Sequence, residues 1–144
     1  MDPTLQTLVA AHDTETDHRS IAAMARRRAV LAMRDAGQLR SAAERFAAAT
    51  VLVHGEQIAE IEAAQSLALA AMTTESRARR LAAIAYDRLR MLRGEPQKFG
   101  TQWVERDGRL ELWAVDPATT DSERSKWDLP PLTAILRQAG SGRG

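Results

Sequence analysis

The sequence predicts a mainly α fold, a single-domain helical bundle with one small β-hairpin near the C-terminus. Three observations predict it. Apolar residues recur three and four positions apart over most of the 144 residues. Aromatics make up only 4% of the chain, and much of its 44% hydrophobic content is alanine, which suits close-packed helices better than a sandwich of large β-branched residues. One two-residue turn signal, Asp107-Gly108, lies between two strand-like runs.

Each element follows from local signals. Asp2-Pro3 supplies a cap and a first helical residue, and a short helix runs to about His12. The polar stretch Asp13 to Asp17 breaks it. A second helix runs from about Asp17 to Ala36, with Ile21, Met24, Leu31 and Met33 among Ala and Arg and Gly37 as its stop. Ser41-Ala-Ala-Glu44 is a capping box for a third helix that carries Phe46, Val51 and Val53 and ends at His54-Gly55. A fourth spans about Glu56 to Met72, with Ile58, Ile61, Gln65, Leu69 and Met72 as its inward stripe. Thr73 and Thr74 are caps for a fifth that stops near Gly94, with Leu81, Ile84, Ala85, Arg88, Met91 and Leu92 facing inward. Thr101 to Arg106 and Arg109 to Val115 form the hairpin, with Trp103 opposite Leu112 and Gln102 opposite Trp113. Asp121 to Trp127 is a short helical segment, and Pro130-Pro131 opens a last helix through about Ala139. One domain over 1–139 and a flexible tail over 140–144 are expected.

Composition excludes several classes. There are 20 basic and 19 acidic residues, a net charge of +1, which argues against a nucleic-acid binder and against a polybasic membrane anchor. There is no cysteine, so disulfides, cysteine-ligated metals and thiol catalysis are excluded. No spacing matches a metal site, and no cofactor motif is present. No apolar run approaches a membrane span. The expectation is a soluble, cytoplasmic, bacterial-type chain.

Candidate chemistry lies where polar residues break the apolar pattern. Gln65 and Arg88 occupy inward positions on neighbouring helices, where unsatisfied polar groups cost about 1–3 kcal/mol each. Arg88 could anchor an anion, with Asp87 beside it in sequence. His54, at a helix end before a glycine, could act as a general base. Gln97-Lys-Phe-Gly-Thr-Gln102 is a polar loop entering a strand, and Gln97, Thr101 and Gln102 offer donors and acceptors to an amide, hydroxyl or carboxylate. His12 and His18 read as solvated, and Arg26-Arg27-Arg28 and Arg77-x-Arg79-Arg80 as solvated charge runs.

His54, Ala64-Gln65, Asp87-Arg88 and Gln97-Lys-Phe-Gly-Thr-Gln102 together resemble a bacterial family of unknown function. Its members carry Gln-His near one helix end, Ala-His in the next helix, Asp-Arg in the third, and a Gln-x-Phe/Tyr-Gly-Thr-Gln loop. The ending Asp116-Pro-Ala-Thr-Thr-Asp121-x-Glu-Arg124-x-x-Trp127-x-Leu-Pro-Pro-Leu132 is similar to the family's C-terminal segment. The resemblance spans roughly Arg27 to Leu132. Val53 stands where a Gln is usual, and Gln65 where many relatives have His. The resemblance implies a site drawn from four segments, altered here if both histidines take part.

Two functions fit these residues. In one, an interhelical polar site binds a small polar or anionic ligand, with Gln65, Arg88, Gln97, Thr101 and Gln102 as binding residues. His54 and Asp87 would then be the catalytic pair of a hydrolase or transferase. In the other, the same cluster is structural and the protein is a non-catalytic helical interaction module. An open pocket favours the first, a closed and fully hydrogen-bonded network the second.

Overall fold

In the computed structural model, residues 1–140 are described. Asp2 opens α1 (Pro3–Asp13) by accepting the N–H groups of Thr4 and Leu5 at 2.8 and 3.3 Å. The next helix, α2 (Ile21–Asp35), begins later than the sequence predicts, and Glu15 is the cause. Its carboxylate accepts the N–H groups of Thr16 and Asp17 and the Ser20 hydroxyl, so this stretch folds as a turn around that side chain. Ser20 then caps α2 through the Ala23 N–H.

The predicted capping box opens α3 (Ala42–Leu52): Ser41 Oγ accepts the Glu44 N–H and Glu44 Oε1 accepts the Ser41 N–H, both at 3.1 Å. The other Glu44 oxygen accepts the Asp2 N–H at 3.1 Å, tying the start of α1 to the start of α3. That bond is the main reason the Glu44 carboxyl lies below its ordinary pKa. After α4 (Ile58–Ala71) and α5 (Arg77–Leu92) comes the hairpin, β1 (Trp103–Arg106) and β2 (Arg109–Leu112), then α6 (Asp121–Lys126) and α7 (Leu132–Gly140). The last helix thus reaches Gly140, and the rest of the expected tail lies outside the described residues.

The hairpin has the predicted register. Trp103 pairs with Leu112, and the Trp113 N–H reaches the Gln102 carbonyl at 3.1 Å. Asp107 and Gly108 turn the chain with φ of 52° and 77°, the left-handed pair that a tight hairpin needs. Both strands are shorter than the expected 101–106 and 109–115, and an isolated parallel bridge joins Val115 to Gln97, which lies before the expected first strand.

The buried faces differ from the expected stripes. On α2 the buried residues are Ala23, Arg27, Val30 and Met33, while Ile21 is 87% exposed. On α4 they are Glu60, Ile61, Ala63, Ala64, Leu67, Ala68 and Ala71, while Ile58 and Leu69 are exposed and Gln65 is half-buried. On α5, Ala78, Ala82, Ala83, Ala85, Asp87 and Leu89 are buried and Arg88 is half-buried. Alanine carries the burial because a methyl lets helix backbones approach closely, which turns larger side chains out to the flanks.

Two compact units divide the chain, Met1–Ala85 and the stretch from Tyr86 onward. The division falls inside α5, and a continuous helix gives no linker signature. Within the first unit α1, α2 and α3 pack on one another, α2 meets α4, and α3 with α4 forms the most extensive pairing. Within the second, α7 packs on β2.

Candidate functional site

Asp87, fully buried on α5, organises the loop that follows the helix. Its Oδ1 accepts the N–H groups of Lys98 and Phe99 at 2.8 and 2.9 Å. Its Oδ2 accepts the N–H groups of Gly100 and Thr101, both at 3.1 Å, and the Thr101 hydroxyl at 2.8 Å. Consecutive amides can converge on one carboxylate only if the chain curls tightly. Gly100 supplies that curl with φ of 109°, and a Cβ there would stand 3.3 Å from Ile135 Cδ1.

Gln97 closes the loop from the other side. Its amide donates to the carbonyls of Gln102 and Trp113 at 3.0 and 2.7 Å, and its Oε1 accepts the Gln102 N–H at 2.8 Å. Gln102 Nε2 reaches Thr101 Oγ1 at 3.1 Å. Arg124 of α6 anchors the same loop, donating from Nε to the Phe99 carbonyl at 2.7 Å and from Nη1 to Asp121 at 3.0 Å. The structure therefore brings Asp87, Gln97, Thr101 and Gln102 together. The Asp87 carboxylate is saturated by five donors, and the Gln97 amide has both its donors and its acceptor engaged. Neither is set to receive a ligand. Gln65 belongs to the first unit, on α4, and His54 to the turn between α3 and α4.

The first unit holds a second polar constellation, most of which sequence reasoning missed. His12 and His18, expected to be solvated, form one cluster with His54. The His18 and His54 rings stack 4.1 Å apart, and His12 lies 4.9 Å from His54 and 5.2 Å from His18. His12 is buried, which together with the neighbouring His18 holds its pKa below the ordinary value. The rings face one another, and among the described residues no group of three or more His, Cys, Asp or Glu side chains is placed to hold a metal.

Arg27, expected on a solvated face, is buried too. Its Nε donates to Glu60 Oε2 at 2.7 Å and its Nη1 to the His18 carbonyl at 2.8 Å. Glu60 Oε1 accepts the Gln57 N–H at 3.1 Å. A Cβ on Gly55 would lie 2.5 Å from that Oε1, so the glycine makes room for the carboxylate. Arg26 pairs with Glu15, whose carboxyl is lowered to about 2, chiefly by the Asp17 N–H and then by Arg26. The sequence did hold a hint of Arg27: it lies four residues after Ala23 and three before Val30, on the face that α2 buries.

Beside the Arg27–Glu60 pair, α2 and α4 enclose a groove of about 410 Å³. Its lining includes Arg19, Arg28, Glu56 and Gln57, with Met24 and Leu31 as apolar wall. Arg19 is paired with Glu56 at 2.7 Å and Arg27 with Glu60, while Arg28 is exposed and has no carboxylate partner among the described residues.

Compared with known proteins, the chain matches no family model, no curated protein and no solved structure. Among the described residues, no helix is long and apolar enough to cross a membrane.

Proposed function

We propose that the protein binds a small anionic ligand, a carboxylate with a short aliphatic portion, in the α2–α4 groove. One observation carries this reading: the groove is rimmed by arginines, of which Arg19 and Arg27 are committed to glutamates and Arg28 is not. Its volume, about 410 Å³, is in the range of small-molecule sites. Arg28 would hold the carboxylate, and Met24 and Leu31 would cover the aliphatic part. Binding, rather than a reaction, is what these residues support. In this reading the anchor is Arg28, in place of the Arg88 that the sequence suggested. The closed Asp87–Gln97–Gln102 network serves the fold, as an apolar core would.

Titration of labelled protein with butyrate tests it by amide shifts. Saturable shifts at Arg28, Gln57 and Ala59 are expected, weakened about tenfold or more in Arg28→Gln, the loss of roughly one charge-assisted hydrogen bond. Shifts absent at high butyrate, or unchanged by Arg28→Gln, would remove the reading. The second reading, a helical interaction module, is favoured by Ile21, Met24 and Ile58, which are 87%, 45% and 40% exposed. It predicts a partner captured by this face and no response to small anions.

A further inference from the structure

Three histidines are all the chain contains, and its fold brings them into one cluster, His18 stacked on His54 and His12 tilted against both. They come from separate segments: His12 from the last turn of α1, His18 from the α1–α2 connection, and His54 from the α3–α4 turn. We propose that this cluster is an acid-released latch, which when neutral holds the α1–α2 connection against the α3–α4 turn and on proton uptake lets that connection go.

Neutral imidazoles stack favourably, whereas imidazolium rings 4–5 Å apart repel, and the closest pair here is 4.1 Å. The groups around the cluster sharpen the effect. Asp13 on α1 favours the charged form of His12, while Arg26 and Arg27 on α2 oppose it. Both arginines are already paired, Arg26 with Glu15 in the connection and Arg27 with Glu60 on α4, so those carboxylates are occupied. Glu56 in the α3–α4 turn is paired with Arg19. The C-terminal turn of α3 carries no charged residue. Glu15, lowered to about 2, stays ionised when histidines titrate, so the histidines are the groups that change.

Release has a defined reach. The His18 carbonyl receives Arg27 Nη1 at 2.8 Å, and Arg27 is held against Glu60. Loss of the His18 position removes one of the two acceptors that orient Arg27, and with it one edge of the groove. The latch stands whether or not the groove binds an anion.

The test follows the ring proton signals of the three histidines and the backbone amide protection factors of the intact chain between about pH 8 and pH 5. Coupled titration is expected, with the His12 ring protonating below 6.5, the ordinary value. Protection at Thr16, Asp17 and Arg19 should fall about tenfold on acidification while Val51 and Ile61 keep theirs. Three independent titrations near 6.5, or protection lost evenly through the unit, would overturn the latch. His18→Phe keeps a flat ring and cannot titrate, so the acid-driven loss of protection should vanish in it. If His18→Phe does not fold, His54→Phe, at the exposed side of the cluster, carries the same expectation. Persistence of the loss in whichever variant folds would also overturn it.

Discussion

At Asp87 a single carboxylate replaces what would otherwise be a set of orphaned amides. Lys98, Phe99, Gly100 and Thr101 all turn their N–H groups to it, so the loop has few other ways to satisfy its backbone. Asp87→Asn is therefore expected to be severe despite its similar shape. An amide nitrogen must face donors that need an acceptor, and the change should cost about 3 kcal/mol or more. Urea denaturation of wild type and variant measures it. A cost under about 1 kcal/mol would mean that water reaches these amides and that the network is not closed. The sequence pointed to Asp87 and Arg88 together and gave the inward position to Arg88. The fold reverses the emphasis, with Asp87 fully buried and Arg88 half-buried. The reason is that α5 turns its alanines inward, and Asp87 lies four residues after the buried Ala83, on the same face of the helix.

Among the elements, α3 and α4 show how small residues decide packing. Ala48 and Ala49 of α3 and Ala64 and Ala68 of α4 are fully buried, and these helices form the most extensive pairing of the first unit. Close approach of this kind leaves no space for a branched side chain. Ala64→Leu is expected to destabilise the chain by about 1–3 kcal/mol through overpacking, with a lower urea midpoint and an unchanged slope. Leu69→Ala, on the exposed side of α4, should change stability by less than about 0.5 kcal/mol. Equal costs for the two would show that the helices are not close-packed at Ala64. The existence of both helices was legible from capping and periodicity. Their inward faces were not, because hydrophobic periodicity weights Ile, Leu and Met above alanine, while burial here follows closeness of approach.

For the whole molecule the groups whose ionisation the fold changes set an acid limit. His12 lies below its ordinary 6.5, so the native chain binds fewer protons than the unfolded one in that interval. Its contribution to stability is full above 6.5 and is lost as pH falls through the lowered native value. Glu15 titrates at about 2 instead of 4.5, so its contribution is full above 4.5 and is lost as pH falls through about 2. Glu44 and Glu75 are lowered in the same sense, Glu75 chiefly by its hydrogen bond from Arg77. A series of denaturation midpoints should therefore show a plateau above 6.5, a first decline below it, and a steeper one below 4.5. Glu15→Gln should shrink the steeper decline and leave the first. A profile flat from 6.5 to 4.5 would contradict the placement of His12, and one flat from 4.5 to about 2 that of Glu15.

The sequence by itself determined the number and order of helices through the short aromatic content, the capping residues and the three-and-four spacing. It determined the hairpin, down to its register, because an Asp-Gly turn leaves one pairing open. It also marked the Gln97–Gln102 loop as polar chain in need of partners, but it paired that loop with Gln65 and Arg88, and Asp87 with Arg88. All of these are local signals, acting within a few residues. Tertiary structure alone decided that Asp87 is saturated, that Arg27 is buried against Glu60, and that His12, His18 and His54 meet. Each of those depends on distant segments arriving at one place, Arg27 and Glu60 across 33 residues and Asp87 and Thr101 across 14. A side chain's burial and partners follow from which helix faces approach, and here that choice rests on alanines whose pattern is nearly the same on every side of the helix.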